Sequence, residues 1–287
     1  MVKQITVISG KGGTGKTTVT SGLAYLAEGA SVLADADVDA PDLHLILNPT
    51  IHSTRDLYIS KKITRNEDLC TKCNLCGESC QFEAITADSY ESYKCEGCGL
   101  CARICPEKAL TMKPVLSAKL HVSDTRFGPL VHVNMEIGEG SSGRIVDAVR
   151  KEALKIAEEK KMEYIIVDGS PGIGCPVIAS ITGIDLALIV VEPTLSGIHD
   201  LERILDVTNH FSVKALVCVN KSDLNEKNTK DIENYCIEKE VTLAGKIPYN
   251  TIVPNSIISK KSVLEMPENS VGQEIENVWQ QIIKALT

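Results

Sequence analysis

The stretch Ile5-Thr6-Val7-Ile8-Ser9-Gly10-Lys11-Gly12-Gly13-Thr14-Gly15-Lys16-Thr17 decides the fold. An apolar run reads as a buried strand, a glycine-rich turn follows, and helix-forming residues come next. Gly10–Thr17 fits G-x-x-x-x-G-K-[ST] between a strand and a helix, the context in which that pattern is a phosphate-binding loop. The glycines permit positive φ and close approach. Successive backbone N–H groups at a helix N-terminus then face an anion. Gly12, Gly13, Thr14, Gly15, Lys16, Thr17 and Thr18 are therefore the candidate nucleotide contacts. Lys16 is expected to neutralise the β- and γ-phosphates, and Thr17 to bind Mg²⁺.

Outward from the loop, residues 17–28 carry Val19, Leu23 and Leu26 on one helical face. A strand at 31–34 ends in Asp35-Ala36-Asp37-Val38-Asp39. Strand–loop–helix–strand begins a parallel sheet. Three later apolar runs, 164–167, 186–191 and 215–219, read as strands covered on both faces. A glycine-rich loop at 138–143 precedes a helix at 144–160. Ile275, Val278, Trp279, Ile282, Ile283 and Leu286 follow helical spacing and predict a helix docked on the core. A membrane-surface helix is the rival, with only Lys284 to supply positive charge there. The expected fold class is α/β, a parallel-sheet P-loop NTPase domain.

Between the first motif and the later strands the texture changes. Cys70, Cys73, Cys76 and Cys80 recur as Cys95, Cys98, Cys101 and Cys105, and Ala84-Ile85-Thr86 recurs as Ala109-Leu110-Thr111. Such self-similarity marks a duplicated half-domain. The expected organisation is an ATPase domain in two parts, 1–61 and 115–287, around an insertion at 62–114. Two C-x₂-C-x₂-C-x₃-C runs resemble the bacterial two-cluster ferredoxins, small α+β domains. That resemblance implies two [4Fe–4S] clusters, with the fourth cysteine of each run serving the other cluster. Cys70, Cys73, Cys76 and Cys105 would hold one; Cys95, Cys98, Cys101 and Cys80 the other. Pro106 follows Cys105 as the pattern expects, whereas Gln81 follows Cys80. A zinc ribbon is the competing reading of paired C-x₂-C motifs.

Lys11 adds information. Lys11-Gly12-Gly13-Thr14-Gly15-Lys16-Thr17 resembles the deviant Walker A of the MinD, ParA, Mrp and nitrogenase iron protein superfamily. The resemblance implies that Lys11 reaches the phosphates of a partner subunit in an ATP-bound dimer. It extends to Asp37 at the switch I position, orienting the attacking water. At switch II, Asp168-Gly169-Ser170-Pro171-Gly172, it implies that Asp168 holds Mg²⁺ through water and Gly172 senses the γ-phosphate. Asp35 would be an outer Mg²⁺ contact, and Asp39 and Asp42 loop caps. Asn220-Lys221-Ser222-Asp223 could by pattern read guanine. In the superfamily the asparagine contacts adenine, which favours ATP, with Pro248 beside the base. Glu192-Pro193-Thr194 reads as a strand-end loop without chemistry. Cys218 and Cys236 read as buried hydrophobes, and Cys175 as a structural residue with a cluster-ligand alternative. No C-terminal C-x-x-C of the Mrp type is present.

The 287 residues suffice for one large α/β domain and an insertion. Net charge of −8 argues against nucleic acid. The strand expected directly after Met1, with no signal peptide and no run of the roughly 18 apolar residues a span requires, predicts a cytoplasmic protein without stable membrane insertion. Eleven cysteines then point to metal or redox work rather than disulfides. The expected function is a nucleotide-driven dimer switch, homo- or heterodimeric with a related ATPase, that passes electrons through its clusters to a redox partner. Iron–sulfur or metallocofactor assembly and delivery, and redox sensing, are the two alternatives.

Overall fold

The computed structural model describes residues 2–140, 142–267 and 269–287. The chain begins with β1 (Lys3–Ser9), α1 (Lys16–Leu26), β2 (Ser31–Asp35), α2 (Leu43–Leu47) and β3 (Thr50–Leu57). The cysteine segment contributes β4 (Lys61–Arg65), α3 (Leu75–Glu78), α4 (Leu100–Ile104) and β5 (Leu110–Pro114). Then come β6 (Ala118–Thr125), β7 (Gly128–Met135), α5 (Ser142–Glu159), β8 (Tyr164–Pro171), α6 (Cys175–Ile181) and β9 (Leu186–Val191). The remainder is α7 (Leu195–His210), β10 (Lys214–Asn220), α8 (Glu226–Glu238), β11 (Thr242–Ile247), α9 (Ile252–Ile258) and α10 (Ser270–Leu286). Two compact units result: residues 1–54, 121–133 and 142–287, and residues 55–120 with 134–141.

In the larger unit, the described strands form one sheet in the order β11-β10-β9-β1-β8-β2-β7-β6-β3. From β11 to β7 every recorded pairing is parallel. The expected strands 31–34, 164–167, 186–191 and 215–219 all lie in it, each fully apolar at its centre because helices cover both faces. β6 and β7 form a hairpin whose turn is closed by Thr125: its hydroxyl accepts from Phe127 N at 3.1 Å and donates to Gly128 O at 2.6 Å. β3, β6 and β7 were not expected from the sequence. Met1 and Ser141, the latter within the expected 138–143 loop, lie outside the described residues.

α10 is a core helix. Ile275, Val278 and Ile282 are fully buried against the sheet and α1, and a side chain at Gly22 of α1 would meet Ile275 at 2.8 Å. Each such aliphatic contributes about 1.5–3 kcal/mol of burial. Its apolar face is therefore occupied. Among the described residues, no helix is long and apolar enough to cross a membrane.

Three histidines gather where α2 meets the hairpin. His132 stacks on His44 at 5.9 Å and faces His121 at 5.1 Å between ring centroids. Ser123 Oγ bonds its Nε2 at 3.0 Å. Burial first, and then the charges of His121 and His44, push its pKa down from 6.5 to about 4. The unfolded chain therefore binds a proton that the fold refuses between those values. Stability is present above 6.5 and lost as pH falls toward 4, by at most about 3 kcal/mol. His132→Gln, which keeps a partner for Ser123, should flatten the fall in urea midpoint between pH 7 and pH 5.

The smaller unit is closed by the antiparallel pair β4–β5, with Lys61 opposite Pro114 and Arg65 opposite Leu110. Its core is Ile63, Ile85 and Leu110, with Cys76, Cys80, Cys101 and Cys105 packed on it. The sequence duplication is repeated in the backbone. Lys72 and Gly97, Asn74 and Gly99, and Glu83 and Lys108 all have positive φ, each pair 25 residues apart. Asn74 and Gly99 are the equivalent residues that start α3 and α4.

Candidate nucleotide site and cysteine centre

The strand order places the C-terminal ends of β10, β9, β1, β8 and β2 side by side, where parallel α/β sheets form their sites. The loop after β1 turns through Gly13 (φ 78°) and Gly15 (φ 93°) into α1. A Cβ on Gly15 would lie 2.2 Å from Asn220 Nδ2. Gly15→Ala therefore combines left-handed strain of about 1–2 kcal/mol with a clash. It should weaken nucleotide binding at least about tenfold, read by titration calorimetry.

β8 lies between β1 and β2, with Asp168 opposite both Val7 and Asp35. Asp168 is fully buried and accepts from Thr17 Oγ1 at 2.6 Å and Thr20 Oγ1 at 3.0 Å. Asp35 is fully buried too and accepts from the backbone N–H of Leu43 and Asp37. Lys16, 5% exposed, reaches Asp37 at 3.8 Å. Burial raises the Asp168 carboxyl, against Lys16 and the two threonine hydroxyls. Burial and then Asp168 raise Asp35. Burial brings Asp37 up to about 6 despite Lys16. Asp37 and Asp168 share the Lys16 ammonium, and with the Thr17 hydroxyl they form a hard-oxygen set suited to Mg²⁺. Thr17 and Asp168 are the residues that would hold it.

A cavity of about 530 Å³ opens on this cluster. Of the expected contacts it gathers Gly12, Gly13, Gly15, Lys16, Thr17, Thr18, Asp37 and Asn220. Thr14 lies outside its lining, as do Gly172 and Pro248; Val253, Pro254 and Ile257 supply the apolar side instead. The Gly172 N–H is engaged by Ser9 O at 2.8 Å. Asn220 Nδ2 donates to Thr14 O at 2.7 Å, so in this state it braces the loop. Asp39 and Asp42 line the cavity, and Asp42 begins α2 without a side-chain capping bond. From sequence, Thr20 is not singled out, Lys221 and Asp223 are read only within the base-reading pattern, and Glu192 is given no chemistry. Lys221 donates to Gly13 O at 3.1 Å, Asp223 accepts from Tyr249 N at 2.6 Å, and Glu192 pairs with Lys11 at 3.2 Å.

In the smaller unit, Cys70, Cys73, Cys76 and Cys105 line one small cavity with Arg65. Burial raises the Cys101 thiol, and Cys95, Cys98 and Cys80 beside it raise it further. Each group thus takes three cysteines of one run and the last of the other. Cys73 and Cys98 are exposed and the other six are partly buried. Burial raises the Cys76 thiol while Arg65 lowers it. Ala84 N donates to Cys80 Sγ at 3.4 Å. Among the described residues, no three His, Cys, Asp or Glu are arranged to hold a metal ion. Of the remaining cysteines, Cys218 and Cys236 are buried in β10 and α8, and Cys175 is exposed at the start of α6. Burial pushes the Cys218 thiol up to about 12 and that of Cys236 up to about 11, which makes both inert.

Residues 5–263 match the CobQ/CobB/MinD/ParA nucleotide binding domain. The chain belongs to this family. An uncharacterised protein of Methanocaldococcus jannaschii, MJ0578, is 33% identical over 98% of this chain and 97% of its own length. Among solved structures, the septum site-determining protein MinD of Pyrococcus horikoshii complexed with Mg-ADP superposes with a TM-score of 0.60 at 17% identity, covering 99% of this chain and 97% of that one. The MinC:MinD cell division complex of Aquifex aeolicus gives 0.61 at 18%, covering 99% and 96%. These structures share the fold. The family match and the shared fold account for the P-loop and the parallel sheet.

Proposed function

We propose that this family member is a Mg²⁺-dependent ATPase that carries two [4Fe–4S] clusters in a ferredoxin-like module and serves electron transfer to a redox partner. The nucleotide half rests on the site geometry. Lys16 and the backbone of Gly12–Gly15 would hold the phosphates, Thr17 and Asp168 the Mg²⁺. Asp37 would accept a hydrogen bond from the attacking water, its pKa near 6 leaving it ionised at neutral pH. Asp223, the carboxylate a guanine reader needs, is engaged by Tyr249 N–H. That engagement supports ATP over GTP. Lys11 would act on the nucleotide of a second subunit, so that ATP closes a dimer.

The observation that carries the redox half is the crossed gathering of the cysteines. A single zinc ion would draw its four sulfurs onto one point. Four cysteines line one small cavity of about 20 Å³, and the preference for a four-iron cluster rests on the duplicated C-x₂-C-x₂-C-x₃-C spacing. Arg65 in that lining suits an anionic sulfur-rich group, and the hydrogen bond from Ala84 N–H to Cys80 Sγ is of the kind that tunes such centres. Bound there, the clusters would supply one-electron chemistry. The test is iron, zinc and acid-labile sulfide analysis of anaerobically purified protein, alongside hydrolysis of MgATP and MgGTP. Equal iron and sulfide with MgATP preferred supports the reading; stoichiometric zinc, or no preference for ATP, overturns it.

A further inference from the structure

Lys11 is held by its own chain. Its ammonium lies 3.2 Å from Glu192 Oε2 and 3.3 Å from Thr194 Oγ1. Glu192 follows directly on β9, and its side chain is 13% exposed. Its other oxygen takes the ammonium of Lys221, which also donates to Gly13 O. Burial would raise the Glu192 carboxyl, but the two lysines bring it below the usual carboxylate range. One carboxylate therefore serves two cations. This sharing has a physical consequence. A buried carboxylate stripped of its only cation is strongly unfavourable. Glu192 can release Lys11 without that penalty, because Lys221 remains on its other oxygen.

We infer that Glu192 is a latch in cis for Lys11, holding the lysine on its own chain until the phosphates of a second copy compete for it. Glu192 thereby sets the threshold for nucleotide-dependent pairing. It acts through Lys11 and is a positioning residue. The inference rests on the proposed action of Lys11 across a dimer. Phosphate and carboxylate compete for the same ammonium, and weakening the carboxylate tips that exchange toward the partner.

The test is sedimentation velocity on anaerobically purified full chain, with and without saturating Mg-adenylyl-imidodiphosphate. Glu192→Gln keeps shape and a hydrogen-bond acceptor but removes the charge. It should lower the protein concentration for half-pairing about fivefold, with no pairing without nucleotide. Glu192→Asp, which withdraws the carboxylate from Lys11 but keeps the charge, should shift pairing in the same direction and serves if the glutamine variant does not fold. Lys11→Ala should abolish pairing. If Lys11→Ala abolishes pairing while both Glu192 variants pair as wild type or more weakly, the latch is wrong and the trans role stands. If Lys11→Ala pairs normally, the underlying reading of Lys11 fails, and the latch with it.

Discussion

Lys16→Ala is expected to lower kcat for MgATP hydrolysis about 10³-fold, the scale of losing one preorganised charge at a reacting phosphoryl group. The local electrostatics make the effect large. Lys16 is nearly buried and is the principal cation opposing Asp37 and Asp168. Without it, Asp37 and Asp168 lose their shared cation beside the phosphates, and nucleotide affinity falls along with turnover. Lys16→Arg is not expected to rescue, because a planar guanidinium does not fit a point-charge position beside Thr17. The eight cysteines of the two runs lie in the other compact unit, so iron content should be unchanged. Steady-state hydrolysis, titration calorimetry and iron analysis on one preparation check all three. Turnover within tenfold of wild type would remove Lys16 from the chemistry.

Cys105→Ser is expected to cost about half the iron, and the half it costs discriminates between ligand sets. Cys105 sits in the second run but lines the cavity of Cys70, Cys73 and Cys76. Its loss should therefore match that of Cys70→Ser in spectrum, while Cys80→Ser should match Cys98→Ser. Nucleotide binding should be intact in all four. If Cys105→Ser instead resembles Cys98→Ser, each run binds its own cluster. If nucleotide binding is lost with the iron, the two units do not fold independently.

Much of this was legible because it is local. Gly10–Thr17 lies between a buried strand and a helix, and its chemistry follows from spacing alone. The cysteine repeat and the apolar strands β8, β9 and β10 are equally explicit. β3 was not legible: Thr50–Asp56 is exposed throughout, and only Leu57 is buried. An edge strand with one buried residue leaves no alternating pattern to read. β6 and β7 carry histidine and serine at buried positions, because His121, Ser123 and His132 satisfy one another or nearby hydroxyls. Glu192 looked like a loop residue since its partners, Lys11 and Lys221, come from distant strand ends. Val253 and Pro254 lie in the cavity wall in place of the expected Pro248, because α9 folds over the site after β11.

The central claim is that a nucleotide switch and a pair of iron–sulfur clusters work in one chain. Anaerobic EPR of the dithionite-reduced protein, with and without MgATP, tests it most directly. The account predicts the signals of two interacting [4Fe–4S]⁺ clusters, whose shape or reduction potential shifts when MgATP binds. Reduced protein with no cluster signal, or signals indifferent to MgATP, would contradict it.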